Sequence, residues 1–206
     1  MTPSLRPSRG AVALCYLVAF WSGFFVMGIE LLGGRVLAPN FGSSISVWGA
    51  LITVFMLALS VGYLAGGRYS LRNPSLKKLG MLLGAAALTA LPVLPLSGVP
   101  LEELAIAMPD ERFGSLLAAA LLFFIPTFFS GMVSPYCVRL LVDSEESSGR
   151  RAGQLYFVST FGSAAGTIFT SFYLVLWLEV NVIFISMIAV SMALAALTML
   201  AKGNKA

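Results

Sequence analysis

Residues 11–34 read AVALCYLVAFWSGFFVMGIELLGG, an apolar run with a single charged side chain, Glu30. Crossing the hydrocarbon core of a bilayer takes roughly 20 apolar residues in a helix. This stretch meets that length, and the pattern recurs at 46–67, 77–97, 113–142, 152–177 and 180–201. The fourth of these contains Pro126 and Pro135. It reads as one kinked helix, since neither half is long enough to cross alone. The fold class expected is therefore an all-α integral membrane protein with six transmembrane helices, a single domain over 1–206.

Composition agrees. Of the 206 residues 58% are hydrophobic and 11% charged, against about 25% charged in an ordinary soluble domain. No separate soluble domain is expected. The N-terminal run is longer than a signal-peptide core and lacks a small-residue cleavage site. Cys15 follows Leu14 where a lipid anchor needs a small residue. Cys15 and Cys137 lie apart in sequence, with no metal-ligand spacing, and a disulfide between them is not expected.

Basic residues set the expected orientation. With the N-terminus inside, Arg6, Arg9, Arg68, Arg72, Lys77, Lys78, Arg139, Arg150, Arg151, Lys202 and Lys205 are cytoplasmic, and Arg35 and Arg112 lie outside. Both termini are then cytoplasmic, in a bacterial-type inner membrane. This asymmetry also accounts for the net charge of +4, so a nucleic-acid partner is not expected; the lipid bilayer is. The outer loop 98–112 carries Leu101, Leu104, Ala105 and Met108 at helical spacing, which predicts a short interfacial helix. The inner loop from Asp143 to Arg151, with Glu145 and Glu146, reads as a solvated connector.

Small residues mark two helices. Gly49, Thr53, Ser60 and Gly67 share a stripe on the second, and Ser159, Ser163, Gly166 and Thr170 share one on the fifth, with Gly162 adjacent. Such stripes let backbones approach where lipid supplies no hydrophobic drive. They fit packing within the bundle, a dimer interface, or a face that slides during transport.

Chemistry concentrates on the first and fourth helices. Glu30 is the one acid clearly within a span, a placement that costs about 2.5–3.5 kcal/mol at a helix centre. It either pairs with Arg35 or snorkels, or it binds a cation or proton in a polar cavity. Trp21, Ser22 and Gly23 lie mid-span on the first helix; Thr127, Ser130, Gly131 and Tyr136 cluster between and beside the prolines of the fourth. Proline frees a carbonyl one turn earlier, and broken helices often line transporter cavities. Cation-binding candidates are therefore Glu30, Trp21, Ser22, Arg35, Ser130 and Tyr136, the two aromatic rings offering faces to a cation. Phe20-Trp21-Ser22-Gly23-Phe24 also echoes Phe128-Phe129-Ser130-Gly131-Met132, at a separation that suits a three-plus-three repeat.

The run Glu30-Leu31-Leu32-Gly33-Gly34-Arg35-Val36-Leu37-Ala38-Pro39, with Phe41-Gly42-Ser43-Ser44 and Val47-Trp48 after it, resembles the start of the membrane-bound spermidine-synthase-like proteins. Gly62-Tyr63-Leu64-Ala65-Gly66-Gly67-Arg68 and the segment from Gly153 to Thr167 are similar to the same family. The resemblance implies half of a major-facilitator-type bundle, which in that family is fused to an aminopropyltransferase-like domain. These residues hold no glycine-rich nucleotide turn, so no catalytic residue, cofactor or metal is carried over. An enzyme acting alone is least expected, since histidine and any nucleophile–base pair are lacking. Two functions stay open. One is a transporter-like module for a polyamine or related organic cation, with a homodimer making twelve helices. The other is a membrane anchor for a separately encoded cytosolic synthase-like partner.

Overall fold

A computed structural model describes residues 9–142 and 145–201. Arg6, Asp143, Lys202 and Lys205 lie outside the described residues, as do the side chains of Glu145 and Glu146. Six helices among the described residues are long and apolar enough to cross a membrane. They are α1 (Arg9–Phe41), α2 (Ile45–Ser70), α3 (Leu76–Ala90), α4 (Glu111–Leu141), α5 (Glu145–Phe169) and α6 (Val180–Leu200). The chain is an all-α, multi-pass membrane protein.

The span boundaries follow local chemistry. Gly42, at φ 78°, makes the tight turn between α1 and α2 in a conformation that costs glycine nothing. Ser44 and Ser75 cap α2 and α3 with their hydroxyls, and Asp110 caps α4. Beyond α3 the third span continues through Pro92 into a short turn, Val93–Leu96. The expected outer-loop helix is present at Val99–Ala107, with Leu101 buried against the bundle. α4 runs unbroken through both prolines. α5 widens into a π turn at Thr170–Leu174 before Val175–Trp177 completes the fifth span.

Two glycine-mediated contacts hold the bundle. On α5, a methyl group at Gly162 would overlap the Phe20 carbonyl and one at Gly166 the Phe24 carbonyl, so α5 lies backbone to backbone on α1. On α2, Gly62 meets the Phe128 carbonyl and Gly66 meets Met132 in the same way, joining α2 to α4. Residue numbers rise together in both pairs, so each pair is parallel. The two contacts therefore match position for position. Phe20 and Phe24 on α1 correspond to Phe128 and Met132 on α4, the segments whose sequences echo one another.

Where the two repeats meet, α1 and α4 touch through Ser22 and Ser130, which are equivalent in the repeat register, and through the two cysteines, which are not. The Ser22 hydroxyl donates to the Ser130 carbonyl at 3.2 Å, and Cys137 Sγ lies 3.7 Å from the Cys15 carbonyl oxygen. Numbers rise on α1 as they fall on α4, so these helices are antiparallel. α3 and α6 also pack antiparallel, with Gly80 against Ala195 and Met199. The arrangement is that of two three-helix units, α1–α3 and α4–α6, inverted relative to each other. Both cysteines are buried, adjacent and free.

The fifth-helix stripe packs against α1; the second-helix stripe meets no other helix of the chain. Gly49 and Gly67 meet nothing within the chain, and Thr53 and Ser60 are exposed. The packing face of α2 is the other small-residue row, Gly62 and Gly66. The reason is geometric: those two lie on the side of α2 that faces α4, and the predicted stripe lies on the opposite side.

Gly166→Leu should force α5 off α1, an overpacking cost of about 1–3 kcal/mol or more. In detergent this appears as a lowered melting temperature. Gly49→Leu, made as a control, should leave the melting temperature of the single chain unchanged.

Candidate functional site

Most polar side chains inside the spans are spent on their own helix. Ser60, Ser163, Thr167, Ser191 and Thr198 each donate to the carbonyl four residues earlier, at 2.6–3.2 Å. Such back-bonding satisfies a hydroxyl without any neighbour. A serine or threonine in these spans is therefore no sign of a cavity by itself.

The predicted site residues divide on this test. The Trp21 indole donates to Ser191 Oγ on α6 at 2.7 Å and its ring stacks on Phe24 at 5.1 Å. Ser22 and Ser130 are buried in the α1–α4 contact, where Ser130 Oγ also donates to the Pro126 carbonyl at 3.0 Å. The Tyr136 side chain is fully buried. Its hydroxyl accepts from Ser75 N at 3.0 Å and donates to Ser75 O at 3.4 Å, while its ring leans on Tyr69. These four residues tie helices together and do not present open faces to a cation. Their partners lie far away in sequence, which is why the sequence read them as available.

Glu30 is different. Among the described residues it has no ion-pair or hydrogen-bond partner, and Arg35 is exposed and unpaired with it. Gly23, two turns below on the same face of α1, abuts the Ser159 carbonyl and Ser163 Oγ of α5. Gly34, one turn above, abuts Trp48 at the start of α2. Glu30 therefore looks out between α5 and α2, half-buried. The corresponding face of α4 carries Thr127, Gly131 and Ser134. Ser134 Oγ lies 3.5 Å from Ser159 Oγ. Thr127 is fully buried, and its hydroxyl has no hydrogen-bond partner. Tyr63 of α2 and Tyr156 of α5, both about half exposed, come within electrostatic range of each other across the gap.

The polar groups on these faces of α1 and α4 lie at different depths: Glu30 toward one end, Thr127 buried, and Tyr156 near the Tyr16–Gln154 contact, at least two helical turns from Glu30 along α1. Chemically the Glu30 carboxylate can attract a cation. A hollow of about 480 Å³, lined by Tyr16, Gly153, Gln154, Phe157 and Val158, lies nearer the N-terminal end of α1 and does not include Glu30. Sequence reasoning missed Ser134 and the orphaned state of Thr127; the i, i+4, i+7 spacing of Thr127, Gly131 and Ser134 was the available signal.

The chain matches no protein-family model, no curated protein and no solved structure.

Tyr136→Phe should destabilise the fold by about 1 kcal/mol, because two hydrogen bonds to Ser75 are lost. Thermal unfolding in detergent measures this. Cation binding by the same variant should equal that of the native protein, since Tyr136 lies against the start of α3, toward the other end of the bundle from Glu30.

Proposed function

We propose that this protein is a transporter-like membrane module that binds a small organic cation, of which a polyamine is the best candidate. One observation carries the reading: an unpaired carboxylate, Glu30, half-buried within a span on the face of α1 flanked by α5 and α2. Intramembrane carboxylates are costly and mark ion or substrate pathways by default. Inverted repeats with a polar site at their junction are a recurrent transporter design.

The inverted three-plus-three packing supports the resemblance to half of a major-facilitator-type bundle. The proposed substrate class comes from the resemblance to the spermidine-synthase-like membrane proteins together with the sign of the Glu30 charge. The basic residues also support an orientation. Tyr16 bonds Gln154 at 3.1 Å, and Tyr136 bonds Ser75. These contacts gather Arg9, Arg68, Arg72, Lys77, Lys78, Arg139, Arg150 and Arg151 at one end of the bundle. Arg35 and Arg112 lie at the other. By the positive-inside rule the basic end faces the cytoplasm, with the N-terminal end of α1, in a bacterial-type inner membrane.

Saturable binding of radiolabelled spermidine to the protein in nanodiscs is expected, with at least a tenfold loss in Glu30→Gln and no loss of membrane insertion. No binding to the native protein would sink the transport reading. It would favour the anchor role, with a cytosolic synthase-like partner then sought by pull-down.

A further inference from the structure

We infer that the hollow between α1 and α5 is a binding site for an anionic phospholipid, its phosphate held by Arg9 and Arg150 and its glycerol and upper acyl chain seated in the hollow. The site is separate from Glu30 and adds a ligand that the cation reading neither needs nor supplies.

The hollow, about 480 Å³, falls within the range of about 300–1,000 Å³ usual for small-molecule sites. It exists because α5 offers no side chain at Gly153, where a methyl group would meet nothing within 4 Å. Phe157 on its wall is 69% exposed, so the hollow opens outward from two spanning helices toward the surrounding acyl chains. Its lining is apolar apart from Tyr16 and Gln154. The Tyr16 hydroxyl donates to Gln154 Oε1 at 3.1 Å. The Nε2 donors of Gln154 are left without a partner among the described residues.

Positive charge converges beside this hollow. On α5, Arg150 precedes Gly153, Gln154 and Phe157 by three, four and seven residues, the spacing of one helix face. On α1, Arg9 precedes Tyr16 by seven, again on one face. The register that sets Gly162 on Phe20 and Gly166 on Phe24 puts Arg151 level with Arg9 and Val158 level with Tyr16. Arg9 and Arg150 are exposed and have no ion-pair partner among the described residues. Arg151, which has contacts of its own, adds to the positive potential at that level. Side chains on a helix lean toward its N-terminus, so both free guanidinium groups reach from the hollow toward water.

Depth then selects a phospholipid. Gln154 lies one turn from Arg150, about 5 Å along the axis, and Phe157 two turns, about 10 Å. The headgroup zone on each side of the hydrocarbon core is about 5–8 Å deep. With the phosphate at the arginines, the ester carbonyls reach the spare Gln154 donors and an acyl chain lies against Phe157. Guanidinium groups bind phosphate oxygens bidentately, which orients the headgroup. A zwitterionic lipid fills the hollow as well but brings an ammonium toward the arginines. Inorganic phosphate satisfies the arginines and leaves the apolar hollow unfilled.

The test places the full chain in nanodiscs of equimolar phosphatidylglycerol and phosphatidylcholine, and native mass spectrometry counts the lipids that stay on the released protein. Phosphatidylglycerol should be retained over phosphatidylcholine by about fivefold or more, the scale of a basic residue near an anionic lipid. Arg9→Gln combined with Arg150→Gln should remove that preference. Gly153→Leu, whose Cβ meets nothing in the chain, should fill the hollow and lower retention of phosphatidylglycerol about fivefold. Gly49→Leu, equally unobstructed and at the opposite end of the bundle, should leave retention unchanged. Equal retention of the two lipids by the native protein would overturn the proposal. So would a preference that survives the double arginine variant, or a loss in Gly49→Leu equal to that in Gly153→Leu. Spermidine binding should be the same in all these variants, so failure of either reading leaves the other standing.

Discussion

Backbone-to-backbone approach at four glycines is the constraint on which the rest depends. Between helices in lipid the hydrophobic effect gives no net drive, because acyl chains are as apolar as leucine. Association must come from close contact, and only glycine removes the side chain that would prevent it. Gly62 and Gly66 set the register of α2 on α4; Gly162 and Gly166 set that of α5 on α1. With both pairs fixed, α1 and α4 are left to meet through Ser22 and Ser130. The remaining pair, α3 and α6, closes behind them through Gly80. A shift of one residue in either glycine register would replace a glycine by a larger side chain at a carbonyl, so the bundle has few alternatives.

How much of this the sequence discloses depends on whether the signal is local. The spans and their number follow from runs of apolar residues, and the helix between the third and fourth spans from the spacing of Leu101 and Leu104. The repeat is visible as the echo between Phe20–Phe24 and Phe128–Met132, because the same contact needs the same small and bulky residues in the same order. Which face of the second helix packs within the chain was not legible, because it carries two rows of small residues and lipid penalises neither. Nothing in the hydropathy of Gly49 or Gly62 tells which of them faces α4.

Site residues were less legible for a related reason. Trp21 and Tyr136 look like free aromatic groups until Ser191 and Ser75 are brought beside them by the fold. Hydroxyl-bearing residues look like cavity lining until their bonds to the preceding turn are counted. Glu30 stands out in the sequence because its cost does not depend on tertiary detail. No side chain of its own helix relieves that cost, and the structure supplies no cation for it among the described residues.

The repeats are related but not identical, and their differences locate the chemistry. Tyr136 on α4 corresponds to Gly28 on α1. Tyr136 pins the start of α3, whereas the Met187 side chain of α6 fills the space over Gly28. The basic end of the bundle is therefore closed by hydrogen bonds and the equivalent junction by an unbranched thioether, which can adopt other rotamers at little cost. Glu30 corresponds to Val138, so the one carboxylate is off the axis that relates the repeats. It lies toward the end opposite the basic residues. A site on the axis would be seen alike by both units. In the proposed reading, an off-axis carboxylate would tie ligand attraction to α1, in the repeat whose junction with α6 is the more deformable.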